Sequence, residues 1–383
     1  MSPTDQVTFF YYGDGVGSEV LARYTAQGFH PVLLGDILPK SGTCVDDRQK
    51  QPRYRIAQKL GHGAFSTVWL ARDLSQDRLG GENPGQNHII EVFDIFTIQG
   101  PNGFHECIVM EVVVPFDDAP IRRKYSALHG ANKGCVDPHY ANFGIAIPQL
   151  QQFDEEVIAD YFAAPVVMPV VPRDPLFPRD SVPSYLTETV SLGSFLQDQQ
   201  CFPSEDQVCV KILDFGRAHW TDKVPRELPG AAPPTIRPPE VYMHELSDGK
   251  MGSVWSKAAD VWAIGCILYL INAGCQLLLV QGDSQYQLYK ALQLGGAPPK
   301  DWSEYWDLEK FCESTRDRKN PMVPSFDIDG AWDSRRPTSG LKDEDVLDII
   351  RQMVVTDPTK RMQLAIALEH AIFSPQSGTE QED

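Results

Sequence analysis

The 383-residue chain has no C-x-x-C pair; its eight cysteines stand alone at positions 44, 107, 135, 201, 209, 266, 275 and 312. That spacing excludes a zinc ribbon or a dithiol redox motif. Scattered thiols are expected to be reduced and mostly buried, as in a cytosolic or nuclear protein. Basic residues are also few: 34 Lys and Arg stand against 52 Asp and Glu, a net charge of −18. Direct nucleic-acid binding is thereby disfavoured, because neutralising phosphates takes basic patches. The opening, MSPTDQVTFFYYGDG, lacks the apolar core of a secretory signal and already contains Asp5. Long apolar runs are scarce. The one uncharged stretch, VWAIGCILYLINAGCQLLLV at 261–280, is interrupted by Asn272-Ala273-Gly274. A buried core helix is expected there rather than a membrane span. No internal repeat appears.

With 42% hydrophobic residues, the chain can bury one large core or two modest ones. Residues 1–50 read as an irregular lead-in. The stretches 54–72 and 88–113 read as strands: YRIAQKLG, STVWLAR, HIIEVFDIFTI and HECIVMEVV are β-branched and aromatic, with turn signals such as QGPNG between them. Six prolines from Pro165 to Pro183 forbid helix or central strand across that stretch and make an extended insert at about 150–205. The period turns helical from 255 to 290 and from 340 to 373, as in DEDVLDIIRQMVV. The polar tail, 374–383, is expected to be disordered.

Several short motifs carry chemistry. In LGHGAFSTV, Gly61 and Gly63 let the backbone approach a phosphate, and Val68 opens the return strand over a base. A G-x-G also closes ordinary hairpins. CVDPHYANFG sets Asp137 five residues before Asn142, a step that resembles the Asp-to-Asn step of the protein-kinase catalytic loop. KILDFG puts Asp214 at a strand end, where a carboxylate suits Mg²⁺ on a nucleotide, although D-F-G is also a common turn tripeptide. IRPPEVYM with Glu240, KAADVWAIG with Asp260 and DPTKRM with Arg361 follow. Each is weak alone; the six in this order, over about 300 residues, are together a specific signal.

The sequence resembles eukaryotic protein kinases. It is most similar to the SR-protein kinases, which phosphorylate serine/arginine-rich splicing factors, and particularly to their fungal members. GFHPVLLGDIL, LGHGAFSTVWLARD, IQGPNGFHECIVMEVV and DFGRAHW carry the closer match, over roughly residues 28–373. That branch also has a spacer between catalytic loop and D-F-G; here Asn142 and Asp214 lie 72 positions apart. The resemblance implies an α+β, bilobal kinase fold: a small β-rich lobe at 51–114 and a larger helical lobe at 115–373 that contains the insert. It implies ATP and Mg²⁺ as cofactors, basic Arg/Ser-rich proteins as substrates, a monomer, and a cytoplasmic or nuclear location. Leu60, Gly61, Gly63 and Val68 would line the nucleotide, with Glu111 and Val113 as hinge contacts to adenine. Asp137 would be the catalytic base, and Asn142 and Asp214 the metal ligands. Glu240 would pair with Arg361, and Asp260 would brace the catalytic loop; both roles hold the fold rather than perform chemistry.

The departures bear on activity. Between Arg72 and His88 there is no strand bearing the phosphate-steadying lysine and no helix bearing its glutamate partner. Lys59 precedes the loop and Lys211 precedes D-F-G, so neither stands at the missing position, and Glu91 lies in the next strand. Pro115–Gly134 is too short for two helices, and Cys135-Val136-Asp137 lacks the usual His and Arg. Losing one such preorganised charge costs about 10²–10³ in rate. Losing the strand should leave two sheet edges unpaired. The expected function is therefore a serine/threonine kinase of SR-kinase type with impaired transfer. A pseudokinase scaffold binding the same partners is the alternative. An aminoglycoside-type phosphotransferase shares the catalytic residues but lacks RPPEVYM and DVWAIG.

Overall fold

The computed structural model describes residues 8–10, 17–63, 66–75, 88–116, 118–126, 142–204, 207–215, 232–252, 256–273, 275–280, 282–316, 321–335 and 344–370. Within them the chain is α+β and forms two compact units. One comprises Met1–Ile121 with Ala141–Leu213, and the other Arg122–Tyr140 with Asp214–Asp383. The expected tail, 374–383, lies outside the described residues.

The first unit holds the strands. β1 (Ile37–Leu38), β2 (Tyr54–His62) and β3 (Thr67–Asp73) form one antiparallel sheet in the order β1-β2-β3, and β4 (Val92–Gly100) pairs with β5 (Gly103–Met110) as a separate hairpin. No strand among the described residues joins the two sheets. Period-2 patterning decides which face is buried. Phe96 and Ile98 on β4 meet Tyr54 and Ile56 on β2 in one core, while Phe93, Ile95, Phe104 and Ile108 face outward and are exposed.

The described residues of the lead-in pack against these strands. Val32, Leu38 and Cys44 complete the core shared by the two sheets. Residues 43–46 lie along β4: the Val45 amide donates to the Thr97 carbonyl at 2.8 Å and the Gln99 amide to that of Thr43 at 2.9 Å. Phe9 bridges Pro172 of the insert, and the Phe10 amide donates to the Val171 carbonyl at 3.0 Å.

The insert is likewise ordered. Prolines confine its strands to a short hairpin, β8 (Val167–Pro169) with β9 (Tyr185–Thr187), but helices Glu155–Tyr161 and Leu192–Asp198 flank it. It groups with the first unit, where Val182 and Leu186 pack with Phe9, Leu21, Tyr24 and Phe29. Ser191 caps the helix at Leu192 and donates to Asp118 Oδ2 at 2.6 Å; a Cβ on Gly193 would collide with that aspartate, so only glycine admits the contact.

One contact in this unit makes a pH prediction. His30 of the lead-in lies against His105 of β5, ring centroids 5.0 Å apart, and neither His30 Nδ1 nor His105 Nε2 has a hydrogen-bond partner. Burial, then the charges of His105 and Lys40, lower the His30 pKa from 6.5 to about 4, against a smaller opposing pull from Asp36. A depressed imidazole stabilises the fold only while neutral. This contribution is complete above pH 6.5 and is lost as the pH falls towards 4. Thermal melts from pH 7.5 to 4.5 are expected to show a steeper loss for the natural chain than for His30→Leu. Parallel curves would show that the pair does not titrate with unfolding.

In the second unit, helix Lys257–Ala273 runs through the core, as its uncharged sequence predicts, with Trp262, Cys266 and Tyr269 buried against Leu294, Trp332 and Ile350. Gly265 lets helix Glu344–Met353 approach, because a Cβ there would sit 2.9 Å from Val354 Cγ2. No helix among the described residues is long and apolar enough to cross a membrane.

Candidate functional site

The glycine loop is the turn of a hairpin. Gly61 pairs with Val68 and His62 with Thr67, and the Gly63 amide closes the turn on the Ser66 carbonyl at 2.8 Å. Register shifts flank Lys59, where the strand twists before the loop. Gly61 and Gly63 have no positive φ, and among the described residues no atom beyond their chain neighbours lies within 4 Å of a Cβ built at either. Neither backbone geometry nor internal packing thus requires glycine there. Leu60 is half-buried beside them and Val68 is exposed.

A second small sheet, in the order β10-β7-β6, carries the remaining candidates: β6 (Val113–Pro115), β7 (Phe143–Ala146) and β10 (Val210–Ile212). In β7 and β10, Phe143 faces Ile212, and the Leu213 amide donates to the Asn142 carbonyl at 2.8 Å. The pairing therefore ends level at Asn142 and Leu213, and the chain continues directly into Asp214. Asp214 has φ +58°, a left-handed conformation that a non-glycine residue adopts only at a cost. Asn142 and Asp214 are both solvent-exposed. Asp137 lies outside the described residues, as does the loop that Asp260 was expected to brace.

Glu111 follows β5. Its amide donates to the Glu91 carbonyl at 2.9 Å, and Val113 begins β6 two residues later. The Glu111 carboxylate accepts the Glu91 amide at 2.8 Å and pairs with Lys211 Nζ at 2.7 Å. Lys59 is also fully buried, paired with Glu19 and donating to the Thr187 carbonyl at 3.2 Å. Burial lowers its pKa to about 8. Both lysines that fail to match the missing position are thus held by carboxylates of their own. Neither pairing was foreseen from sequence: the partners lie 40 and 100 positions away, and no short motif links them.

In the second unit, Glu240 and Arg361 form the expected bridge. Arg361 Nη1 donates to Oε1 at 2.7 Å and Nη2 to Oε2 at 2.6 Å, with both side chains buried. Asp260 stands exposed in the first turn of its helix. Among the described residues, no group of three or more His, Cys, Asp or Glu is arranged to hold a metal.

No family model matches the chain. Segments of it do match protein kinases. Serine/threonine-protein kinase SKY1 of Saccharomyces cerevisiae is 29% identical over 132 residues, 26% of this chain and 16% of that protein. Protein kinase dsk1 of Schizosaccharomyces pombe is 33% identical over 119 residues, covering 24% and 20%. Human SRSF protein kinase 3 is 29% identical over 119 residues, covering 24% and 19%. The class these similarities define is the protein kinases. Within it, they support an SR-protein-kinase-like family for this chain, which spans a fifth or less of the length of these relatives.

Proposed function

We propose that the chain is a bilobal serine/threonine protein kinase of the SR-kinase type, which transfers the ATP γ-phosphate to serine in basic Arg/Ser-rich proteins, in the cytoplasm or nucleus and as a monomer. The observation that carries this reading is the β7–β10 register, which ends on Asn142 and leads into Asp214. Their oxygens are hard ligands of the kind Mg²⁺ takes. Mg²⁺ commonly keeps one or two protein oxygens and completes its shell with phosphates and water. When bound, Mg²⁺ would neutralise charge on the β- and γ-phosphates. Gly61 and Gly63 would leave their backbone open to the phosphates. Leu60 and Val68 would cover the base, and the Glu111 carbonyl and Val113 would meet its edge. Asp137 would accept the serine proton as Oγ bonds to the γ-phosphorus and the bond to the β–γ bridging oxygen breaks, releasing ADP.

A pseudokinase that binds SR-type partners without transfer is the second reading. Its support is that Lys59 and Lys211 are both neutralised by carboxylates, so neither is available to phosphates. One experiment separates the two: labelling of an Arg-Ser peptide by Mg²⁺·ATP, with the natural chain and with Asp137→Asn. An enzyme should label slowly and lose a further factor of about 10²–10⁴ in the variant. No labelling by the natural chain supports the scaffold, and equal labelling by both would remove Asp137 from the chemistry.

A further inference from the structure

The strands around Lys211 close on themselves. β10 pairs with β7, and β7 with β6. β6 runs back through the chain to Glu111, whose amide donates to the Glu91 carbonyl at 2.9 Å. The segment leading to Glu91 returns to β10: Ile89 bridges Ile212, the Ile90 amide donates to the Ile212 carbonyl at 3.2 Å, and His88 Nδ1 meets the Val210 carbonyl at 2.9 Å. Lys211, only 7% exposed, spans this circuit to Glu111 at 2.7 Å. The same Glu111 oxygen accepts the Glu91 amide, so one carboxylate ties three stretches of backbone.

We infer that Lys211 is a positioning residue of the nucleotide site, acting through Glu111 to hold the hinge carbonyl in fixed relation to the strand that leads into Asp214. The inference rests on the nucleotide-binding reading above. Its physical basis is burial. A lysine this enclosed is costly unless paired, and the pair it makes joins the chain at 111–113 to β10. Lys211 does not replace the missing lysine, because its charge is directed at Glu111. It fixes instead the spacing that such a site requires.

The test measures ADP binding in the presence of Mg²⁺ by calorimetry, below the melting transition of every variant. Lys211→Met is expected to weaken binding about tenfold, with Lys211→Arg much closer to the natural chain. The exchange Lys211→Glu with Glu111→Lys should recover part of the loss. A merely packed lysine would lower the melting temperature without that pattern of rescue. Hydrogen exchange at the amides of Glu111, Val113 and Leu213 gives a readout without nucleotide, and Lys211→Met should accelerate all three. Unchanged binding in Lys211→Met would overturn the inference, as would unchanged exchange. If the natural chain does not bind ADP at all, the nucleotide reading fails, and accelerated exchange would then show the pair to be a strut without a positioning role.

Discussion

Replacing Arg361 by alanine is expected to cost the second unit about 3–5 kcal/mol, the typical penalty for leaving a buried carboxylate uncompensated. The guanidinium does more than neutralise Glu240. Nε donates to the Val355 carbonyl at 2.7 Å, Nη1 also reaches Ala258 at 2.7 Å, and Nη2 reaches Thr356 at 3.3 Å. It also lies 5.1 Å from the Trp262 ring centroid, so the cation and an aromatic face share one buried site. Glu240 stands in the first turn of helix Pro239–Leu246, where the positive end of the helix favours its charge. Arg361→Lys should recover little, since one ammonium cannot span both carboxylate oxygens and three carbonyls. The check is urea unfolding followed by tryptophan fluorescence, with Lys360→Ala, an exposed neighbour, as the reference. A shift no larger than the reference would show that the bridge contributes nothing net.

How much of this was legible in the sequence depends on the range over which each feature is encoded. The hairpins β2–β3 and β4–β5 are local: alternation, turn residues and β-branching placed both, and the core helix was marked by its uncharged run. The Glu240–Arg361 bridge spans 121 positions and was expected only because the resemblance supplied it. The lead-in was read as irregular, and the regular elements that its described residues form are a 3-10 turn at Leu21–Arg23 and the two-residue β1. Its few apolar residues have no period, so nothing local shows that Val32, Leu38 and Cys44 fill one core. The insert was half legible. Prolines do keep its middle extended, but the helices at either end depend on packing such as Phe195 against Phe153 and Tyr161. At the candidate site, Asn142 and Asp214 were named from spacing, whereas the Lys211–Glu111 pair depends on a backbone circuit that no window of sequence contains.

The remaining large effect concerns the lead-in itself. A strand unit missing one strand would be expected to open locally at low cost. The buried pair Lys59–Glu19 argues for a firmer attachment. Lys59 leaves β2 to meet Glu19, Glu19 accepts the Tyr24 hydroxyl at 2.6 Å, and the Lys59 carbonyl accepts the Val190 amide of the insert at 2.8 Å. Its ammonium also lies 5.7 Å from the Trp69 ring centroid. Lead-in, insert and β2 therefore meet at one charge pair with almost no solvent access. Lys59→Met strands a carboxylate in that interior and is expected to cost about 3–5 kcal/mol. Adding Glu19→Gln removes the stranded charge while keeping an acceptor for Tyr24, so the double variant should regain more than half of the loss. Hydrogen exchange read at 17–29 and 54–62 should rise sharply in the single variant and fall back in the double, with 257–273 unaffected in both. If the single and double variants exchange alike, the two side chains are not coupled, and the lead-in must be held by the apolar cluster of Phe9, Leu21 and Phe29 alone.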